Sequence, residues 1–178
     1  MARKLYLLRH GKSSWAESGV ADFDRPLNQR GRAACDLIGR AMAERGYNPD
    51  LVLCSPSRRT RETLDRVLPH LKTAPSVAIV ADLYEPPSRD YLPALARYGD
   101  TAAAILLVGH NPTAHATALA LVGSGPASAR KALAEKFPTA ALAAIDFPSA
   151  LDWQALSPGS GHLAGFLTPR LLGGDDDS

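Results

Sequence analysis

The sequence predicts an α/β protein, a three-layer α/β/α sandwich with a mostly parallel central sheet closed by at least one antiparallel strand. Three observations carry this. Short apolar runs recur along the chain, each bounded by turn residues and most followed by a stretch of helical periodicity. The last three runs follow one another without the long crossovers that parallel pairing needs. The 178 residues supply one hydrophobic core and are too few for two ordinary domains, so residues 1–172 read as a single domain.

The elements follow in order. Leu5–Leu8 reads as a buried strand, and after Asp24-Arg25-Pro26 a helix begins at Asn28, its N-cap. Ala34, Leu37, Ile38, Ala41 and Met42 share one face of that helix and Gly46 stops it. Leu51–Cys54 is the second strand, after which Ser55 reads as an N-cap and Pro56 as the first helical residue. Thr63, Leu64, Val67 and Leu68 continue the inward face of this second helix. Val77–Val80 is a third strand, and the Pro-rich loop at Glu85-Pro86-Pro87 leads to a helix around Tyr91–Tyr98. Ala104–Val108 is the clearest strand, followed by Asn111-Pro112, a second cap-and-proline pair, and a helix through Leu121. Past the Gly123–Pro126 turn, a short helix at Ala127–Lys136 precedes closing strands at Ala140–Phe147, Trp153–Leu156 and His162–Leu167. Residues 173–178 have nothing to bury and read as a disordered acidic tail.

Composition excludes several classes. A content of 46% hydrophobic and 21% charged residues is that of a globular protein. A net charge of +2 and 6% aromatic residues lack the basic face and stacking platforms of a nucleic-acid binder. The longest apolar run, Ala102 to Val108, is far shorter than the ~18 residues of a membrane span. No signal-peptide pattern opens the chain, and Cys35 and Cys54 have no metal-ligand spacing, so a cytoplasmic protein with reduced thiols is expected. Charge is nevertheless uneven, with most of the 15 arginines in the first hundred residues.

In an open α/β sheet, ligands gather beyond the carboxyl ends of the strands. Three such ends carry unusual residues: Arg9-His10-Gly11-Lys12-Ser13, Ser55-Pro56-Ser57-Arg58-Arg59 and Gly109-His110-Asn111-Pro112. Arginines in the first turn of a helix oppose its dipole by a few tenths of a kcal/mol, a placement that an anion would explain. Side by side, these ends would join two histidines and several arginines to two helix amino termini, a site for a small polyanion.

These motifs, together with Arg25-Pro26-Leu27, Gly31 and Thr63, resemble in order and spacing the histidine phosphatase superfamily, the phosphoglycerate mutase-like fold, and most closely its phosphohistidine phosphatase branch of the SixA type. The resemblance runs from about residue 4 to residue 167. It implies that His10 is a nucleophile forming a phosphohistidine intermediate, that Arg9, Arg59 and His110 surround the phosphoryl oxygens, and that neither metal nor cofactor is used. Gly11, Lys12, Ser13 and Asn111 flank these positions as substrate-binding candidates. Physical reasoning agrees, since phosphoryl transfer depends on positioning and charge stabilisation. For the proton donor, Leu83-Tyr84-Glu85 fits the short pattern that supplies a general acid in larger members, but Pro86-Pro87 replaces the usual glycine-containing continuation. Glu85 is therefore either that acid or a solvated loop carboxylate in an enzyme that uses none. Protein phosphohistidine is the favoured substrate. A small phosphomonoester or sugar phosphate, and a noncatalytic phosphate-binding domain, are the alternatives, and the oligomeric state is undetermined.

Overall fold

The computed structural model describes residues 2–148 and 151–175. Seven strands form one sheet: β1 (Arg3–Arg9), β2 (Leu51–Cys54), β3 (Ser76–Ile79), β4 (Ala104–Gly109), β5 (Val122–Ser124), β6 (Leu142–Phe147) and β7 (Gly161–Leu167). Their spatial order is β3-β2-β4-β1-β6-β7-β5. The first four are mutually parallel, whereas β6 runs antiparallel to both β1 and β7. The helices are α1 (Gln29–Glu44), α2 (Arg58–Val67), α3 (Leu92–Tyr98), α4 (Thr113–Leu121) and α5 (Ala127–Glu135).

Strand side chains alternate between two cores. Tyr6, Leu8, Val52, Cys54, Leu106 and Val108 pack with Ile38 and Met42 of α1 and Leu64 and Val67 of α2. Leu5, Leu7, Leu53, Ile105 and Leu107 pack on the other face with Leu95, Ala114, Ala118, Leu121 and Leu133. Every residue of β4 is buried, as a strand covered by helices on both faces requires. This is the predicted three-layer sandwich. Among the described residues, no helix is long and apolar enough to cross a membrane.

Several local expectations are corrected. Trp153–Leu156 is not a strand: Trp153–Ala155 forms a 3-10 turn capped by Asp152, and the buried indole donates to the Ala102 carbonyl at 2.7 Å. Its apolar residues plug one core rather than line a sheet. Ala140 has a positive φ of 58° and β6 starts only at Leu142. Conversely, Val122–Ser124, read as a helix end and turn, pairs with β7, a tertiary effect that local propensity does not reveal. Of the tail expected from residue 173, Gly173–Asp175 turn back on the fold: the Gly174 amide donates to Pro169 O at 2.8 Å and Asp175 pairs with Arg30 of α1 at 3.6 Å. Residues 176–178 lie outside the described residues.

Candidate active site

The register of the sheet assembles the site. Leu8 and Cys54 both lie beside Val108, so the carboxyl ends of β2, β4 and β1 form a contiguous edge. The His10 amide donates to Gly109 O and the Ser55 amide to Val108 O, both at 3.1 Å. The segment leaving β1 lies directly on the first turn of α1. A Cβ at Gly31 would stand 2.2 Å from the Lys12 carbonyl oxygen, and one at Gly11 2.7 Å from Cys35 Sγ, so glycine at both positions lets the two backbones meet. Thr63 of α2 fixes the same loop, accepting from the Gly11 amide at 3.0 Å and donating to Arg59 O at 2.7 Å.

The N-caps differ from expectation. Ser57, not Ser55, caps α2, its side chain accepting from the Thr60 amide. Ser55 Oγ is engaged at 2.7 Å by His110 Nε2. Pro112 holds the N-cap position of α4 after a cis Asn111–Pro112 bond. Asn111 still serves that helix end, its Oδ1 accepting from the His115 amide at 3.3 Å while Nδ2 donates to Phe137 O at 2.9 Å.

His10 is buried, and its Nδ1 lies 2.7 Å from Gly11 O. A carbonyl only accepts, so Nδ1 carries the proton and Nε2 keeps a free lone pair. Burial first, then the charges of His110, Arg59 and Arg9, push the imidazole pKa down to about 3, against the opposing pull of the Gly11 hydrogen bond. Desolvation is a larger cause than the neighbouring arginines. The His110 ring centroid lies 5.2 Å away. Arg59 Nη2 donates to His110 Nδ1 at 3.4 Å, which places the His110 proton on Nε2, facing Ser55 Oγ. Burial and the Arg59 charge lower the His110 pKa to about 4. Both rings are therefore neutral at pH 7.

Around them, a cavity of about 340 Å³ is lined by Arg9, His10, Lys12, Ser13, Trp15, Arg25, Arg59, His110, Asn111 and Thr139. With two neutral histidines and four cationic side chains, this is an anion pocket. Arg9 Nη1 donates to Phe137 O at 3.0 Å, and the buried Nε of Arg59 has no hydrogen-bond partner among the described residues. A second lobe of about 380 Å³ shares Arg9, Lys12, Asn111 and Thr139 and extends past His115 and Lys136. Among the described residues, no group of three or more His, Cys, Asp or Glu side chains is placed to hold a metal ion.

Of the residues singled out from sequence, the cavity thus brings together Arg9, His10, Lys12, Ser13, Arg59, His110 and Asn111, while Gly11 does not line it and meets His10 through its carbonyl. Glu85 is exposed and is not among the lining residues. A carboxylate that does meet an active-site arginine is that of Asp22, from the 3-10 turn Asp22–Asp24, a residue the sequence reading did not select. Arg25, quoted in a motif but given no role, is buried and lies 3.6 Å over the exposed Trp15 ring. An acid three residues before an arginine was the available signal for this pair, a weak one in a chain with so many arginines.

Comparisons with known proteins bear on this arrangement. The sequence pattern of the histidine phosphatase superfamily (branch 1) matches residues 5–90. An uncharacterized protein of Mycobacterium tuberculosis strain H37Rv is 33% identical over 165 residues, covering 92% of this chain and all of the relative. The crystal structure of SixA from Agrobacterium tumefaciens, itself only provisionally assigned as a phosphohistidine phosphatase, is 33% identical with a TM-score of 0.78, covering 95% of this chain and 100% of that one. The fold is also that of the protein histidine phosphatase SixA complexed with tungstate, with a TM-score of 0.72 at 20% identity over 95% of this chain and 99% of that one. With the motif order, the sheet topology and these matches together, the chain belongs to the histidine phosphatase superfamily, within its SixA-like branch.

Proposed function

We propose that this protein is a metal-independent phosphatase that forms a phosphohistidine intermediate on His10 and acts by preference on phosphohistidine in proteins. The observation that carries the reading is the state of His10: neutral, its Nδ1 proton held by Gly11 O, in a pocket with Arg9, Arg59 and His110. In this scheme His10 Nε2 attacks phosphorus and the bond from phosphorus to the substrate's imidazole nitrogen breaks. The substrate ring, which takes a proton from solvent on its other nitrogen before attack, leaves as neutral imidazole. Water then cleaves the phosphorus–nitrogen bond on His10, releasing phosphate and restoring the neutral ring. Arg9 and Arg59 supply the charge stabilisation that a metal ion gives elsewhere.

The position of Glu85 supports the substrate preference. A protonated imidazole is a good leaving group without a carboxylic acid, whereas an alkyl phosphate needs a proton delivered to oxygen. An exposed Glu85 outside the cavity suits the former. Incubation with a phosphohistidine-containing protein should give an acid-labile phosphoryl group on wild type, seen by phosphorus NMR after rapid quench, and none on His10→Ala. Turnover should persist in EDTA. Activity retained by His10→Ala overturns the mechanism, and faster hydrolysis of aryl or sugar phosphates than of phosphohistidine overturns the substrate.

A further inference from the structure

Asp22 takes no part in the reaction just described and does not line the cavity, yet it bonds two of the cavity's arginines. Its Oδ2 accepts from Arg59 Nη2 at 3.0 Å and from the Tyr84 hydroxyl at 2.9 Å. Its Oδ1 accepts from Arg25 Nε at 3.2 Å and Nη2 at 3.0 Å. Its backbone carbonyl accepts from Arg59 Nη1 at 2.6 Å. One residue thus engages both terminal nitrogens of the buried Arg59, while its own carboxylate is half exposed. A phosphoryl group that reaches those two terminal nitrogens shares them with Asp22.

We propose that Asp22 is a positioning residue that restrains Arg59, holding the guanidinium back from a full grip on ground-state phosphate so that its charge serves the transition state and product leaves readily. The inference rests on the phosphatase reading and adds a control on one of its arginines. Contacts that bind substrate, product and transition state equally do not accelerate the chemical step. A carboxylate that loosens the ground-state contact therefore favours turnover at the expense of affinity. Tyr84 modulates the restraint, because its hydroxyl shares Oδ2 with Arg59.

The test uses inorganic phosphate and calorimetry, a binding readout independent of turnover. Asp22→Asn removes the charge and keeps the shape. Phosphate should bind about tenfold more tightly, the worth of one charge-assisted hydrogen bond, while kcat falls. Asp22→Glu should return phosphate affinity toward wild type. Tyr84→Phe leaves Oδ2 to Arg59 alone, tightens the restraint and should weaken phosphate binding, the opposite sign. A merely structural Asp22 would lose affinity and turnover together. Unchanged or weaker phosphate binding by Asp22→Asn overturns the proposal, as does tighter binding by Tyr84→Phe. If Asp22→Asn does not fold, Tyr84→Phe decides alone, with unchanged or tighter binding counting against. A wild type that turns over and binds phosphate beside unaltered variants sinks only this inference; a wild type that binds no phosphate sinks the proposed function with it.

Discussion

The two halves of the sheet both contribute to the core and are chemically unlike. In β2, β4 and β1 the strands are parallel, so three carboxyl ends reach one edge and the loops there deliver Arg9, His10, Arg59 and His110 to one cavity. In β6 and β7 the direction alternates, so β6 presents its amino end to that edge at Leu142 and β7 its carboxyl end at Leu167. The segment leading into β6 contributes fixings more than reagents: Ala140 N donates to His10 O at 2.9 Å, and Phe137 O receives Arg9 and Asn111. Parallel pairing concentrates chemistry, and the antiparallel half anchors it.

The contrast can be broken from either side. In the parallel half, Arg59→Ala removes a buried charge from the phosphoryl site and should lower kcat about a hundred- to a thousandfold, read by steady-state phosphate release, with little loss of fold. A change below tenfold would move the chemistry elsewhere. In the antiparallel half, Ile145 is fully buried between Leu5 and Leu163. Ile145→Ala should cost about 2–5 kcal/mol in denaturant unfolding while kcat per folded molecule stays the same. A catalytic defect without a stability defect would erase the distinction.

Acid should act on the loaded half. His10 and His110 have folded pKa values of about 3 and about 4, below the unfolded value of about 6.5. Between these limits the unfolded chain binds more protons, so stability is present above about pH 6.5 and is lost as pH falls toward 4. The slope is about 1.4 kcal/mol per pH unit for each histidine. Urea unfolding at pH 7 and pH 5 checks it: the wild type should lose more stability between the two than His10→Ala does, and equal losses would refute the assignment. The smallest expected effect lies outside both regions. Glu85→Gln should change phosphohistidine turnover by no more than about twofold, as surface substitutions do; a large loss would restore Glu85 as the general acid.

The sequence made much of the fold legible because burial on both faces of a strand writes a short apolar run, and α1 announces itself with Asn28 and Gly46. Trp153–Ala155 and Val122–Ser124 were illegible for opposite reasons. The first buries its tryptophan without pairing, and the second pairs without an apolar run, since pairing is settled by neighbours distant in sequence. The site divides in the same way. Arg9, His10, Arg59 and His110 sit at strand ends or in the following helical turn, where local pattern and topology rules suffice to find them. Asp22 lies in a polar loop of no regular pattern, and its bonds to Arg59 span 37 residues.

By itself, then, the sequence determined the layers, the strands of the parallel half and the identities of the histidines and arginines that line the cavity, because periodicity and capping are local properties. Tertiary structure alone decided the proton position on each histidine, the exposed position of Glu85 outside the cavity lining and the placement of Asp22 against Arg59. Those depend on which carbonyl, hydroxyl or guanidinium a folded neighbour brings within hydrogen-bond reach.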